Sequence, residues 1–379
     1  MDTIKGIYAA AEIYTVANKE TAVDEYALAQ IKMICDNRAS EGSRICLMPD
    51  VHPGKIGPVG FTMTVGERVL PGLVGIDIGC GMSIAKIKGK KIEYQQLDKV
   101  IRERVPAGFD VRDKVHHMAE DFDFSRLRCG RHVRKEKALY SLGSLGSGNH
   151  FIEIDKDDDK NLYIVVHTGS RHLGKEVADC YMAAGQKVIK EKGEDVPYEM
   201  TYLEGELLSD YLHDLLIVQE YAELNRQIII SEIAKGMKWK IEESYSCIHN
   251  YIDEDKVLRK GAISAKEGEA VIIPINMKEG ILLGTGKGNP SWNCSAPHGA
   301  GRILKRDDVK SRYTVADYKA QMKGIYSSCI SKSTLDEAPF AYRALADIAD
   351  AIKDTVTIDK IIKPCYNFKA GGAERNKLC

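Results

Sequence analysis

The chain has 379 residues, a formal net charge of −1, 44% apolar residues and 29% charged residues. This balance permits a sizeable buried core and excludes a disordered, collagen-like or wholly coiled-coil protein. No run of about 18 uncharged apolar residues occurs, so we expect no transmembrane helix and no membrane partner. The near-zero charge excludes a protein that is basic throughout, although it leaves room for a local basic groove.

The first fourteen residues lack the basic and then apolar pattern of a secretory signal, so we expect a cytoplasmic protein. The ten cysteines are scattered, and no two of them are spaced as C-x-x-C. This spacing argues against a zinc ribbon or a thioredoxin motif, and reduced thiols are expected.

The first half of the chain predicts helices and short buried strands. Helices are expected at residues 22–35, 94–105 and 111–122, and strands at 45–48, 61–65 and 162–167. The last of these strands, LYIVVH, is the most continuously apolar.

Two long amphipathic helices are predicted next, at 175–192 and 207–235, with a polar break at 191–197. Short strands and glycine turns follow up to residue 302, and a final helix at 339–353 precedes a strand at 358–368. The fold class is therefore α/β. We interpret residues 1–379 as a single mixed α/β domain in which 175–235 form a helical insertion.

Five of the ten histidines lie next to glycine- or asparagine-rich turns, where a sheet presents side chains to a cleft. They are His52, His150, His167, His249 and His298. A single histidine is more often a surface or core residue, but five in such turns favour a site. In the segment VGIDIGCGMS, Asp77 and Cys80 are three residues apart among glycines. A carboxylate and a thiolate with nearby imidazoles suit a divalent metal, although a purely structural turn is the alternative.

His298 has different surroundings, since it lies in SAPHGAGR with basic residues close behind. An imidazole there could attack a phosphorus centre, whereas the simpler interpretation is a turn that caps a helix. The run GTGKGN at 284–289 lacks the spacing of a phosphate-binding Walker A loop.

The ordered motifs PDVHPG, VGIDIGCGM, GSGNHFIE, HTGSRHLG, HN, RKGA and HGAGR resemble those of the RtcB-type RNA ligases, from about residue 50 to the tail. The resemblance implies an α/β architecture with a deep central metal cleft. It also implies joining of RNA 3′-phosphate or 2′,3′-cyclic phosphate ends to 5′-hydroxyl ends. The implied cofactors are GTP and two Mn²⁺ ions, and the implied partner is RNA with broken ends, including transfer RNA.

The resemblance also assigns roles to residues of this chain. The metal ligands fall on Asp77, Cys80, His150, His167 and His249, with Cys80 shared by both ions, and the guanylylated histidine falls on His298. Nucleotide binding falls on Asn149, Glu153, Gly299, Ala300, Gly301, Tyr342 and Lys369. Binding of RNA phosphates is assigned to Arg171, Lys260 and Arg306, which we expect to form a basic strip. The acidic position at the mouth of the site corresponds to Asp50.

The chain departs from the family pattern at 274–278, where PINMK replaces a PGSMG-type loop, and it is shorter than the best-known members. Repair and transfer-RNA splicing both stay open, as does a requirement for a protein activator. The alternatives in other functional classes are a metal-dependent phosphoester hydrolase and a non-catalytic RNA-end binding protein.

Overall fold

Two large β-sheets form the framework of the protein, in a computed structural model that describes residues 2–14, 23–88 and 91–370. The strands, in chain order, are β1 (Asp2–Lys5), β2 (Ala10–Ile13), β3 (Ile45–His52), β4 (Val59–Thr64), β5 (Arg68–Val69), β6 (Gly81–Lys88), β7 (Phe151–Lys156), β8 (Leu162–Thr168), β9 (Leu203–Glu204), β10 (Lys240–Ile248), β11 (Asn250–Ile252), β12 (Val257–Lys260), β13 (Ala262–Ser264), β14 (Ala270–Asn276), β15 (Gly280–Gly286), β16 (Ser295–Pro297) and β17 (Val356–Phe368).

The α-helices are α1 (Glu25–Cys35), α2 (Pro71–Val74), α3 (Tyr94–Arg104), α4 (Lys135–Ser141), α5 (Arg171–Glu191), α6 (Gly205–Met237), α7 (Arg306–Arg312), α8 (Val315–Gln321) and α9 (Leu345–Ala351). The prediction of a mixed α/β fold is confirmed. Within the described ranges, none of these helices is both long and apolar enough to cross a membrane.

The first sheet has the strand order β1-β2-β3-β4-β12-β11, and the second has the order β10-β6-β8-β7-β17-β15-β14. All neighbours in the second sheet are antiparallel. Every residue of β8 is buried, which explains why its sequence is a continuous apolar run without alternation. The register sets Met82 and Phe151 opposite His167, and Ile248 opposite Gly81. The site residues at these strand ends are thereby aligned.

Local sequence explains the helices that were predicted correctly. In α1, Asp24 caps the first turn by accepting from Tyr26 N at 2.8 Å, and Ala27, Ile31 and Ile34 form the buried face. The predicted start of this helix, Ala22, lies outside the described residues. The two long helices are present as α5 and α6, and α6 packs against β6 and β8 of the second sheet.

One buried arginine on α6 supports the turn that leads into β6. Arg226 is fully buried, and its Nη1 donates to the carbonyls of Gly79 at 2.8 Å and Thr168 at 3.0 Å. Its Nε donates to Ser83 Oγ at 2.9 Å. Because buried donors need partners, these bonds fix the carbonyls on both sides of the predicted metal site.

One predicted helix is wrong, and another is right only in its second half. Residues 111–122 form a loop with a short 3₁₀ turn at His117–Ala119, because backbone groups such as Arg112 N bond to distant carbonyls, here Tyr140 O at 2.9 Å. Residues 339–353 form a 3₁₀ turn and then α9. The chain is extended between them, because Tyr342 pairs with Arg302 in an isolated β-bridge. Tyr342 is therefore not on a helix.

Candidate active site

Five side chains with metal-binding chemistry converge at one end of the second sheet. Asp77 and Cys80 lie on the turn that enters β6, His150 precedes β7, His167 lies near the end of β8, and His249 separates β10 from β11. Because β10, β6, β8 and β7 are neighbours in that order, the ends that carry these residues meet. All five residues that the sequence assigned to metal binding are thus brought together.

The donor atoms of this cluster face one another. Cys80 Sγ lies 3.4 Å from Nε2 of both His150 and His167. His150 Nε2 is 3.0 Å from Asp77 Oδ2, and His167 Nε2 is 3.3 Å from His249 Nε2. The donors of Cys80, His150 and His167 lie within 4.8 Å of one another, and these three residues are buried. A buried thiol and buried imidazoles beside a partly exposed carboxylate form a donor set suited to a divalent transition metal.

Backbone contacts orient the donors. The carbonyl of Asn149 lies 3.2 Å from His167 Nδ1 and can accept that nitrogen's proton, which leaves the Nε2 lone pair facing Cys80. The His249 amide donates to the Cys80 carbonyl at 2.8 Å, so the two turns are held together. The residues present therefore fit a metal ion in both donor chemistry and orientation.

Burial controls protonation within the cluster. It lowers the pKa of His167 and of His249, and neighbouring imidazoles lower both further, so these rings are neutral near pH 7. Burial raises the pKa of the Cys80 thiol, and the Asp77 carboxylate adds to the rise, so metal binding must release the thiol proton. Burial alone would raise the pKa of Asp77, but His150 outweighs it and holds that pKa well below its usual range.

Two glycines allow the ligands to pack directly on the backbone. A β carbon at Gly169 would stand 2.1 Å from Asp77 Oδ1, and one at Gly146 would stand 2.0 Å from His150 Nδ1. Any side chain at either position would displace a ligand, so the glycines flanking these motifs have a steric role in the site.

His298 stands beside the metal-binding cluster but bonds to a different partner. It follows β16, and its ring centre lies 4.9 Å from that of His249. Its Nδ1 is 2.7 Å from Oδ2 of Asp50, which is fully buried. The placement of Asp50 at the mouth of the site is therefore wrong, because β3 carries the carboxylate into the interior. A proton donated from Nδ1 to Asp50 leaves the His298 Nε2 lone pair available.

A cavity connects the metal-binding cluster with the residues that the sequence assigned to nucleotide binding. Its lining includes His167, His249, His298, Asn149, Glu153, Gly299, Ala300, Gly301, Arg306, Tyr342 and Lys369. The divergent loop at 274–278 contributes Pro274, Ile275, Asn276 and Met277 to the same wall. His298 and the cluster therefore open into one space.

Glu337 is a cavity residue that the sequence analysis missed. This buried carboxylate lies 2.5 Å from the Tyr342 hydroxyl, 2.5 Å from Arg306 Nη1, 3.4 Å from Arg302 Nη1 and 3.2 Å from Lys369 Nζ. Burial alone would raise its pKa, but Lys369 and the two arginines outweigh burial and lower it to about 2. In sequence, the residue belongs to an acidic pair that is typical of an exposed turn, so the pattern gave no signal.

Replacing Glu337 with glutamine is expected to lower the free energy of unfolding by about 3 kcal/mol near pH 7, because the cations around it lose their buried partner. The folded pKa of about 2 lies below the ordinary carboxyl value of 4.5. The carboxylate's contribution is therefore complete above 4.5 and is lost as pH falls through the folded pKa. Urea unfolding of both proteins from about pH 8 to pH 4 should give a difference in the free energy of unfolding that is constant at neutral pH. The difference should become smaller at the acidic end of this range. A difference that widens with acid would contradict this account.

Glu153 is the second buried carboxylate of the cavity. Burial raises its pKa to about 7, although Asn367 and Lys369 act in the opposite direction. Asn367 Nδ2 donates to Glu153 Oε1 at 2.6 Å, and no motif had identified this amide. The pair presents hydrogen-bonding groups of a kind that can read the edge of a nucleobase.

The three cations assigned to RNA phosphates do not form one exposed strip. Arg171 Nη2 donates to Gly108 O at 2.5 Å, and Lys260 Nζ donates to Val74 O at 3.2 Å. Burial lowers the pKa of Lys260, although Asp77 and Cys80 oppose the shift. Arg306 instead lines the nucleotide end of the cavity, where it pairs with Glu337. Arg171 and Lys260 therefore lie at the metal end, where both interact electrostatically with Asp77, and Arg306 lies apart from them at the nucleotide end.

Comparisons with known proteins agree with the sequence motifs. Residues 38–370 match the family model described as RtcB, tRNA-splicing ligase RtcB. The chain is 30% identical over 357 residues to the RNA-splicing ligase RtcB of Escherichia coli strain K12, covering 83% of this chain and 87% of that protein. It is 28% identical over 412 residues to the tRNA-splicing ligase RtcB of Nanoarchaeum equitans, covering 83% and 85%. It is 25% identical over 393 residues to RNA-splicing ligase RtcB2 of Escherichia coli strain ATCC 25922, covering 96% and 97%.

Proposed function

The chain belongs to the RtcB family, and from that premise we propose that it is an RNA ligase that depends on GTP and manganese. It joins RNA ends bearing a 3′-phosphate or 2′,3′-cyclic phosphate to 5′-hydroxyl ends, in RNA repair or transfer-RNA splicing. The observation that carries the proposal is that His298, held by the buried Asp50, opens into the same cavity as the metal-binding cluster.

The metal-binding cluster supports two manganese sites that share one ligand. His167 and His249 would hold one ion, Asp77 and His150 would hold the other, and Cys80 would contribute to both. The equal 3.4 Å distances from Cys80 Sγ to the His150 and His167 nitrogens support the shared role. Bound there, manganese supplies positive charge that neutralises and polarises phosphate groups. The thiolate favours a softer ion than magnesium.

The other end of the cavity is suited to the guanine nucleotide. Glu153 and Lys369 would bond to the base, and Tyr342 would flank it. Asn149 and the turn at Gly299, Ala300 and Gly301 would face the phosphates. The buried position of Glu153 supports this assignment, because a carboxylate there can accept hydrogen bonds from guanine N–H groups with little competition from water.

The covalent chemistry is assigned to His298. With Nδ1–H donated to Asp50, Nε2 attacks the α-phosphorus of GTP, a P–N bond forms, and pyrophosphate leaves. The RNA 3′-phosphate then attacks the same phosphorus, which breaks the P–N bond and transfers GMP to the RNA. Finally, the 5′-hydroxyl attacks the activated 3′-phosphate, loses its proton and displaces GMP. Water must open a cyclic phosphate before these steps. Arg171, Lys260 and Arg306 would bind RNA phosphates along this path.

Incubation with GTP and manganese, followed by intact-protein mass spectrometry and an RNA sealing assay, tests the proposal. A GMP adduct together with joined RNA supports the ligase. Phosphate release from RNA without an adduct would indicate the metal-dependent hydrolase. RNA binding without either reaction would indicate a non-catalytic RNA-end binding protein.

A further inference from the structure

An exposed aromatic ring stands on the loop at residues 106–113, which follows α3. The Phe109 side chain is 88% exposed, more than any other large hydrophobic residue in the part of the chain that the structure describes. Single apolar residues are common on protein surfaces, so the position of this ring relative to the metal ligands decides whether it marks a ligand contact. The ring has no role in the chemistry assigned above.

Backbone hydrogen bonds fix this loop to the segment that carries the metal ligand His150. Gly108 N donates to Leu145 O at 3.0 Å, and Leu145 N donates to Pro106 O at 2.8 Å. The segment continues from Leu145 through Asn149 to His150. Phe109 is therefore attached to the wall of the active site at a defined position.

Arg171 makes a second link between the loop and the site. Its Nη2 donates to Gly108 O at 2.5 Å, the carbonyl that directly precedes Phe109. Its Nη1 lies 2.9 Å from the point where a β carbon on Gly146 would stand, and His150 Nδ1 lies 2.0 Å from that point. The guanidinium thus touches both the loop and the surroundings of His150, so Phe109 lies a short distance outward from a metal ligand.

Beside Phe109 is a surface depression lined by both apolar and charged side chains. Its lining includes Arg102, Glu103, Pro106, Ala107, Phe109, Asp110, Val111, Asp113 and Phe368. The Arg102 guanidinium lies 5.2 Å from the centre of the Phe368 ring.

We propose that this depression, the Phe109 subsite, binds one unpaired base of the RNA substrate, with the base stacked on the Phe109 ring. The inference rests on the proposed ligase function and extends it to substrate positioning. Aromatic rings stack on any base, so the subsite holds RNA near its reacting end without selecting a sequence.

The acidic residues that line the depression favour a base as the occupant over the phosphate backbone. Asp110 and Asp113 would repel phosphates, whereas their oxygens can accept hydrogen bonds from the amino and imino groups of a base. The RNA backbone would then follow the Arg171 side, where the guanidinium faces the metal-binding cluster. This division of base and backbone contacts is usual for proteins that bind single-stranded RNA.

Kinetics of Phe109→Ala and Phe109→Trp on short single-stranded RNAs tests the subsite. We expect alanine to raise the KM for RNA about tenfold, the effect of losing one stacked base, and tryptophan to restore it. Formation of the GMP adduct from GTP without RNA should be retained in both variants. Ile7→Ala, which alters another strongly exposed apolar residue, in the turn between β1 and β2, is the matched control and should behave as the unmodified protein.

RNAs with a single abasic site, placed in turn at each of the first few positions from either end, provide the decisive comparison. At one position the unmodified protein should lose about tenfold in kcat/KM, and Phe109→Ala should lose nothing further there. If the losses from the abasic site and from Phe109→Ala add at every position, the subsite is refuted. Unchanged RNA kinetics in Phe109→Ala would also refute it, as would binding of a protein segment in place of a base. If the unmodified protein forms no GMP adduct and joins no RNA, the proposed function itself fails, which is a distinct result.

Discussion

Replacing Cys80 with alanine is expected to abolish RNA joining, with a loss of about a thousandfold or more. Cys80 Sγ lies 3.4 Å from the ligand nitrogens of both His150 and His167, so its removal takes a donor from each proposed ion. Metal-assisted stabilisation of phosphate charge is worth several kcal/mol, and each 1.4 kcal/mol corresponds to a factor of ten in rate. Elemental analysis after dialysis against manganese should show the metal content falling together with activity.

The matched control is Cys35→Ala, because Cys35 is also buried but lies at the end of α1 within the hydrophobic core. That variant should retain its manganese and its sealing activity while losing some stability. Cys80→Ser should recover little, since a neutral hydroxyl is a much poorer bridging donor than a thiolate. Full manganese content and full joining activity in Cys80→Ala would remove Cys80 from the metal site.

The cluster shows why short motifs could select residues that the fold brings together. Each proposed ligand lies at or near the end of a strand, and glycines leave space for Asp77 and His150, so chemistry and local structure occur in the same few residues. A β carbon at Gly169 would stand 2.1 Å from Asp77 Oδ1, which explains why that turn carries glycine. The strand ends that carry these residues are then aligned by strand pairing, in which the buried strand β8 lies between β6 and β7.

Residues whose roles come from long-range packing were not predictable in the same way. Glu337 acquires its role chiefly from Arg302, Arg306 and Lys369, which lie more than thirty residues away in sequence, and from the nearby Tyr342. No local spacing reveals such a partnership. The isolated β-bridge that disrupts the predicted helix at 339–353 has the same cause, because pairing with Arg302 outweighs local helix propensity.

Asp50 and His52 fall between these two cases. The motif PDVHPG identified both as notable residues, but their contacts depend on how β3 enters the interior. Asp50 Oδ2 meets His298 Nδ1 at 2.7 Å across 248 positions in sequence, and His52 Nδ1 lies 2.8 Å from the Asp50 carbonyl. Sequence patterns identify such residues, whereas only the folded chain distinguishes a carboxylate that meets substrate from one that orients a histidine.

His298→Ala is expected to retain manganese and to lose the GMP adduct by several orders of magnitude, because the nucleophile is removed while the metal ligands stay. The geometry separates the two roles. Cys80, His150 and His167 form a close donor group, whereas the Nδ1 of His298 is engaged by Asp50. A metal ligand would lower metal content when it is replaced, and a nucleophile would not. Elemental analysis and mass spectrometry after incubation with GTP therefore distinguish the two assignments.

Two further measurements sharpen this prediction. His298→Ala should still join RNA whose 3′ end has been chemically guanylylated beforehand, since that step does not use the imidazole. Asp50→Asn should keep the nucleophile but disturb its tautomer. The adduct should therefore still form, but about a hundredfold or more slower than in the unmodified protein. Loss of manganese from His298→Ala would refute the assignment, and so would a GMP adduct mapped to any other residue. If both variants behave as expected, the buried carboxylate acts by orienting His298 and the imidazole alone forms the covalent bond.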